Sequence, residues 1–187
     1  LVALMAAQRG AGHVVAVEID EMAAGQACEN VRQSQWRDSI EVVCSDITKY
    51  TPDELKFDVI ACNPPFFRDS LRSPNAVRSQ ARHNDSLSYE KLADTVLRLL
   101  ANDGTFNLVL PFDMADTFTL IAARRGLYMS KRTKVVTRQG VAPKRVLLSF
   151  VKQQIVHVEE DELVMFDSNN AETLDYISLV KDFYLKY

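Results

Sequence analysis

Phe57-Asp58-Val59-Ile60-Ala61-Cys62-Asn63-Pro64-Pro65-Phe66 is a short, largely apolar run that ends in an amide, two prolines and an aromatic ring. A run of this length, bounded by turn formers, has the pattern of a buried strand. Proline lacks an N–H and fixes φ, so two in succession stop the strand and stiffen the loop. They thereby hold the Asn63 side chain and the Pro64 carbonyl in one direction. Two acceptors then face any –NH2 group placed against them. The lone pair of an amide or aromatic amine is conjugated and weakly nucleophilic. Accepting both of its hydrogens favours the pyramidal geometry needed for attack on an activated methyl group. Phe66 can stack on a planar target. An ordinary strand-ending turn also uses Asn and Pro, so the flanking elements must discriminate.

Upstream, His13-Val-Val-Ala-Val-Glu18 and Ile40-Glu-Val-Val-Cys44 read as two further buried strands, with a helix opening at Asp20 and running to about Gln35 between them. Leu1 to Arg9 has helical composition and stops at Gly10, a helix-ending residue. Downstream, a helix is expected over Ser88 to Leu100, closed by the Asn102-Asp103-Gly104 turn before a strand Thr105 to Leu110, then a helix from about Met114 to Arg125. Tyr128 to Thr137 and Arg145 to Lys152 flank a Gly/Pro loop, as an antiparallel hairpin does, while Leu163 to Phe166 suggests a short strand and Glu172 to Tyr184 a last helix. Alternating strands and helices of this length imply an α/β fold: a mostly parallel, doubly wound sheet ending in an antiparallel hairpin. At 187 residues, 47% of them apolar, one domain spanning 1–187 is the expectation.

In open α/β sheets, ligands bind beyond the carboxyl ends of the strands. Glu18 ends one strand, where a carboxylate can accept both hydroxyls of a ribose, and Asp20 suits the cap of the next helix. Asp46 follows another strand and could accept from an adenine amine. Singly, each is also what a turn or cap uses. The formal charge of −3 conceals an asymmetry: Thr117 to Val158 contains no Asp or Glu but nine basic residues, Lys144 and Arg145 among them. Two readings stay open there, a solvated face whose counter-charges come from Glu159-Glu160-Asp161-Glu162, and a phosphate-binding surface. Cys28, Cys44 and Cys62 are odd in number and widely spaced, which suits reduced, partly buried thiols without disulfide or metal. No stretch has the length or composition of a membrane span or signal peptide, and a cytoplasmic protein is expected.

The order of acid, aspartate and Asn-Pro-Pro-Phe resembles the amino-group methyltransferases of Rossmann-like class I fold. More closely, Cys62-Asn-Pro-Pro-Phe-Phe67, Gln80-Ala-Arg-His83, Pro143-Lys-Arg-Val-Leu-Leu148 and Asp182-Phe-Tyr-Leu-Lys-Tyr187 resemble the bacterial tRNA(valine) adenine-N(6)-methyltransferases. The resemblance implies S-adenosylmethionine as cofactor, tRNA as partner, no metal, no membrane and a monomer. It makes Asn63, Pro64, Pro65 and Phe66 the catalytic candidates, and Glu18, Asp46 and Asn63 the cofactor-binding ones. Phe66, Phe67, Arg78, Arg82, His83, Lys144 and Arg145 become substrate-binding candidates. Packing in the core serves Phe67 equally well, and His83 has no visible acid or metal partner that would make it a base.

The family carries a strand and a glycine-rich loop before the helix that here begins at Leu1. Gly10-Ala11-Gly12 does not replace that loop because it follows the helix. The chain is therefore expected to be the greater part of a methyltransferase domain, with half of the cofactor site outside it. Two rival functions remain open: a protein-glutamine methyltransferase using the same motif, and an inactive methyltransferase-like domain that only binds RNA.

Overall fold

The computed structural model describes residues 1–53, 55–64 and 87–184. They form two units, Leu1–Asp53 and Glu54–Tyr187.

In the first unit, helix α1 (Val2–Gln8) leads to strand β1 (Val14–Glu18), helix α2 (Glu21–Arg32) and strand β2 (Ile40–Cys44). Gly10 takes φ +92 just past α1, a conformation glycine adopts without strain, and so turns the chain toward β1. Asp20 caps α2 as expected, its carboxylate accepting from the Ala23 N–H at 2.8 Å. β1 and β2 pair in parallel from Val14↔Ile40 to Glu18↔Cys44. Their core is small: Ala7, Val31 and Ile40 are buried, with Leu4, Trp36 and Val42 packed alongside.

The second unit holds a five-stranded sheet in the order β3-β4-β6-β5-β7. Its strands are β3 (Phe57–Cys62), β4 (Leu100–Pro111), β5 (Tyr128–Arg138), β6 (Arg145–Val151) and β7 (Glu159–Phe166). β3 and β4 are parallel, β6 is antiparallel to both β4 and β5, and β7 returns parallel to β5. The carboxyl ends of β3, β4, β5 and β7 thus share one edge with the start of β6. Helix α3 (Tyr89–Leu99) is capped by the Ser88 hydroxyl and buries Leu92, Val96 and Leu99, the i, i+4, i+7 stripe of an amphipathic helix. Helix α4 (Ala115–Ala123) follows a single 3₁₀ turn, Phe112–Met114, and buries Ala115, Phe118 and Ala122. A short helix α5 (Leu174–Val180) closes the fold.

Phe106, Phe118 and Phe150 are fully buried at the centre, with ring centroids 5.3 to 6.2 Å apart. Burying one such ring is worth roughly 1.5–3 kcal/mol. On β6 the alternation Val146, Leu148, Phe150 buried against Arg145 and Leu147 exposed shows which face the helices cover.

Several expectations shift. The strands lie in two ladders, β1–β2 and the five-stranded sheet, although the parallel pairs and the antiparallel hairpin are as read. β4 starts at Leu100, directly after α3, and runs through the expected Asn102-Asp103-Gly104 turn. A side chain at Gly104 would meet the Phe57 carbonyl at 2.9 Å, so glycine there marks a close approach of two backbones and not only a turn. β7 begins at Glu159, earlier than its apolar half suggests, because Lys131 neutralises the acidic start through Glu159 at 2.6 Å and Asp161 at 3.1 Å. The terminal helix is shorter than Glu172 to Tyr184, since Thr173 caps it and Glu172 bridges to Phe166. Cys28 and Cys44 are exposed, and only Cys62 is half-buried as expected of all three.

Candidate functional site

Asn63 and Pro64 directly follow β3, one and two residues beyond the level at which Cys62 pairs with Leu108. Asn63 is exposed and Pro64 buried. An amide is therefore presented to solvent from a proline anchored beneath it, at the edge where the sheet's carboxyl ends collect. Cys62, immediately before, belongs to the core side. Burial pushes its thiol up to about 11, so it is a neutral packing group there.

Lys144 and Arg145 open β6 at the same edge, both exposed. Arg145 pairs with Pro111 and Val135, and the Lys144 carbonyl accepts from the Phe112 N–H at 3.2 Å. With one strand between β3 and β6, these cations start roughly 10 Å across the sheet from Asn63. Pro65, Phe66, Phe67, Arg78, Arg82 and His83 lie outside the described residues.

In the other unit, the parallel pairing of Glu18 with Cys44 brings Glu18 and Asp46 to one edge. One Glu18 oxygen accepts from the Asp20 N–H at 3.0 Å, and the residue is half-buried. Asp46 fills the turn role that any acid in its position can take: its Oδ1 accepts from the Thr48 N–H at 2.9 Å and the Thr48 hydroxyl at 2.8 Å. Its Oδ2 stands 4.0 Å from the Lys49 ammonium. An acid–acid pair of this kind suits neutral hydroxyl and amine donors better than an anion.

The basic window divides. Arg125 is paired with Asp94 at 2.7 Å, Lys131 with Glu159 and Asp161, and Arg132 with Asp116 at 3.1 Å. Lys152 gives its ammonium to the Leu100 carbonyl at 2.7 Å, and Arg138 binds the Asn170 side chain at 2.6 Å. The acidic run on β7 does supply counter-charge, but to Lys131 at the far end of β5 from Lys144.

Sequence reasoning passes over one corner of this edge, Pro111 to Asp116, where β4 ends and α4 begins. Its signal was available, since Pro111-Phe112 repeats at the end of β4 the proline-then-phenylalanine stop that follows β3. The Arg132 guanidinium lies 5.4 Å from the centre of the Phe112 ring. Asp113, exposed on the 3₁₀ turn, together with burial raises the Tyr89 hydroxyl above its ordinary range, burial being the larger cause.

Residues 1–110 match the family model of the methyltransferase small domain. The chain is 47% identical over 190 residues to the tRNA1(Val) (adenine(37)-N6)-methyltransferase of Bacteroides fragilis, the alignment covering all of this chain and 79% of that protein. It is 38% identical to the protein of that name from Haemophilus influenzae, covering all of this chain and 80% of the relative. Among solved structures, a predicted O-methyltransferase from Agrobacterium tumefaciens aligns with 90% of this chain and 77% of its own at TM-score 0.68 and 19% identity. A methyltransferase from Pyrococcus furiosus aligns with 82% and 69% at TM-score 0.55 and 23% identity. These likenesses show a Rossmann-like methyltransferase fold.

Proposed function

Because the chain belongs to the family of tRNA1(Val) (adenine(37)-N6)-methyltransferases, we propose that it methylates the exocyclic amine of an adenine in the anticodon loop of a valine tRNA, with S-adenosylmethionine as donor. The observation that carries the reading is Asn63-Pro64, presented at the carboxyl end of β3 in a chain of such close relatives. The bound cofactor supplies a methyl group on a sulfonium that departs as a neutral thioether. Asn63 Oδ1 and the Pro64 carbonyl accept the two amine hydrogens, which localises the nitrogen lone pair for attack on that methyl carbon. One amine proton passes to water after transfer, so no protein base is required.

Glu18 would hold the ribose hydroxyls of that cofactor, and Asp46 would accept from its adenine amine. Both are carboxylates, which accept from hydroxyl and amine hydrogens: Glu18 gives one oxygen to the Asp20 N–H, and Asp46 gives Oδ1 to Thr48 with Oδ2 beside the Lys49 ammonium. Pro65 stiffens the loop, Phe66 stacks on the target adenine, and Phe67 shapes its pocket. Arg78, Arg82 and His83 contact the RNA backbone, as do Lys144 and Arg145 on the hairpin base. Residues 1–187 belong to one methyltransferase domain whose first strand and glycine-rich loop lie outside them, and the protein works as a cytoplasmic monomer. No helix among the described residues is long and apolar enough to cross a membrane.

The test is incubation with labelled S-adenosylmethionine and total tRNA from a strain lacking the activity, followed by identification of the labelled nucleoside. N6-methyladenosine in a valine tRNA is expected. Label on a protein glutamine, or RNA binding without transfer, would move the assignment to one of the two rivals. Reversing Lys144 and Arg145 to Glu should weaken tRNA binding and flatten its salt dependence, each phosphate contact contributing about −0.7 to −0.9 to the slope of log K against log salt.

A further inference from the structure

Arg132 is costly for its position. Its side chain is only 16% exposed, its Nε is buried without a hydrogen-bond partner, and the carboxylate that pairs with it among the described residues, Asp116, is 82% exposed and so repays little of the desolvation. A buried ion held so thinly is commonly matched or bettered in stability by an apolar residue of similar size. Fold stability alone therefore does not account for an arginine here.

Its contacts point elsewhere. Arg132 sits on β5, opposite Leu148 of β6, and both of its side-chain partners, the Phe112 ring and Asp116, belong to the corner that ends β4. The same corner is tied from a second side, where the Phe112 N–H donates to the Lys144 carbonyl. Pro111 stands three residues beyond Leu108, the partner of Cys62, so the corner rises beside Asn63 and Pro64 on the neighbouring strand.

Resting on the function proposed above, we infer that Arg132 is a positioning residue: acting through Phe112, it fixes the corner against which the target base is held beside Asn63 and Pro64. The planar guanidinium stacks on the ring and its ion pair prevents the 3₁₀ turn from swinging away. The Phe112 ring packs against the core and lies under the guanidinium, so Arg132 sets where the corner beside Asn63 and Pro64 stands.

The experiment is single-turnover methyl transfer on saturating tRNA, with cofactor and tRNA dissociation constants and thermal unfolding measured on the same proteins. Arg132→Met is expected to slow transfer ten- to a hundredfold, on the order of the loss from an ångström-scale misplacement of reacting groups. Both dissociation constants should stay within about twofold and the unfolding temperature should not fall. Arg132→Lys, which keeps the charge but not the plane, should recover part of the rate. Phe112→Ala should lose as much as Arg132→Met, and the double variant no more than Phe112→Ala alone.

A wild-type rate in Arg132→Met, multiplying losses in the double variant, or losses that track unfolding temperature would each overturn the inference. Should Arg132→Met not fold, Arg132→Lys decides: a wild-type rate overturns the inference, and a slowed rate with unchanged dissociation constants upholds it. A wild-type protein that transfers no methyl to tRNA adenine overturns the function and the inference together, which separates the two failures.

Discussion

Leu1–Asp53 and Glu54–Tyr187 each carry a parallel strand pair with polar groups at its carboxyl ends, yet they rest on different foundations. Among the described residues the first has two strands and four buried apolar residues; the second has five strands and a core that includes three interlocked phenylalanines. The acids Glu18 and Asp46 stand on the first unit, Asn63 and Pro64 on the second. Under the proposed function the two sets of groups carry different tasks. A carboxylate holding a cofactor tolerates small movements, because the binding it supplies is spread over several contacts. An amide and a carbonyl that shape one nitrogen for attack do not.

The contrast breaks most visibly in the cores. Phe118→Ala should cost about 3–5 kcal/mol in chemical denaturation, the range for emptying a well-packed aromatic site. Like for like, Leu148→Ala in the second unit should cost near the top of the about 2–5 kcal/mol range for emptying a buried aliphatic site, and Ile40→Ala in the first near its bottom. Equal losses would mean that the two cores are of similar quality.

Cysteine chemistry sharpens the same comparison. Cys28 and Cys44 of the first unit are exposed, while burial beside the second core lifts Cys62 from 9.0 to about 11. At pH 8 the thiolate fraction of Cys62 should therefore be lower by about a hundredfold than that of an unshifted thiol. Iodoacetamide with mass spectrometry should find Cys28 and Cys44 modified well before Cys62. Three equal rates would place Cys62 in a wetter environment.

The smallest effect concerns the edge strand. Asp161 is held below its ordinary range by the Thr133 hydroxyl first and by Lys131 second. A carboxyl lowered in the folded state adds stability that is present above its unfolded pKa and fades as pH falls through the folded one. Asp161→Asn should thus cost a few tenths of a kcal/mol, at most about 1, at pH 7 and nothing in strong acid, given its exposure. A loss that persists at low pH would assign it to packing.

How much of this was legible in the sequence depended on range. Local signals survived well: Asp20 and Ser88 cap the helices they precede, Gly10 turns the chain after α1, and the run from Phe57 to Cys62 is the strand before Asn63. What failed was whatever a distant partner decides. Gly104 reads as a turn until Phe57 is known to lie against it. The acidic start of β7 reads as solvated loop until Lys131 is seen beside it. Arg132 was one of seven cations in that window without a role until the fold set it against Phe112. For Glu18 and Asp46 the sequence could name an acid after each strand, but only the pairing of β1 with β2 set the two at one edge.

The division of labour between the units is tested most directly by pairing calorimetric cofactor binding with single-turnover methyl transfer for Asn63→Ala and Glu18→Ala. Asn63→Ala should slow transfer on the order of a hundredfold, as does loss of one preorganised hydrogen-bond partner, with cofactor affinity nearly unchanged. Glu18→Ala should weaken the cofactor, and transfer at saturating cofactor should recover most of its rate. The reverse pattern, cofactor lost with Asn63 and rate lost with Glu18, would contradict the assignment of chemistry to one unit and cofactor to the other.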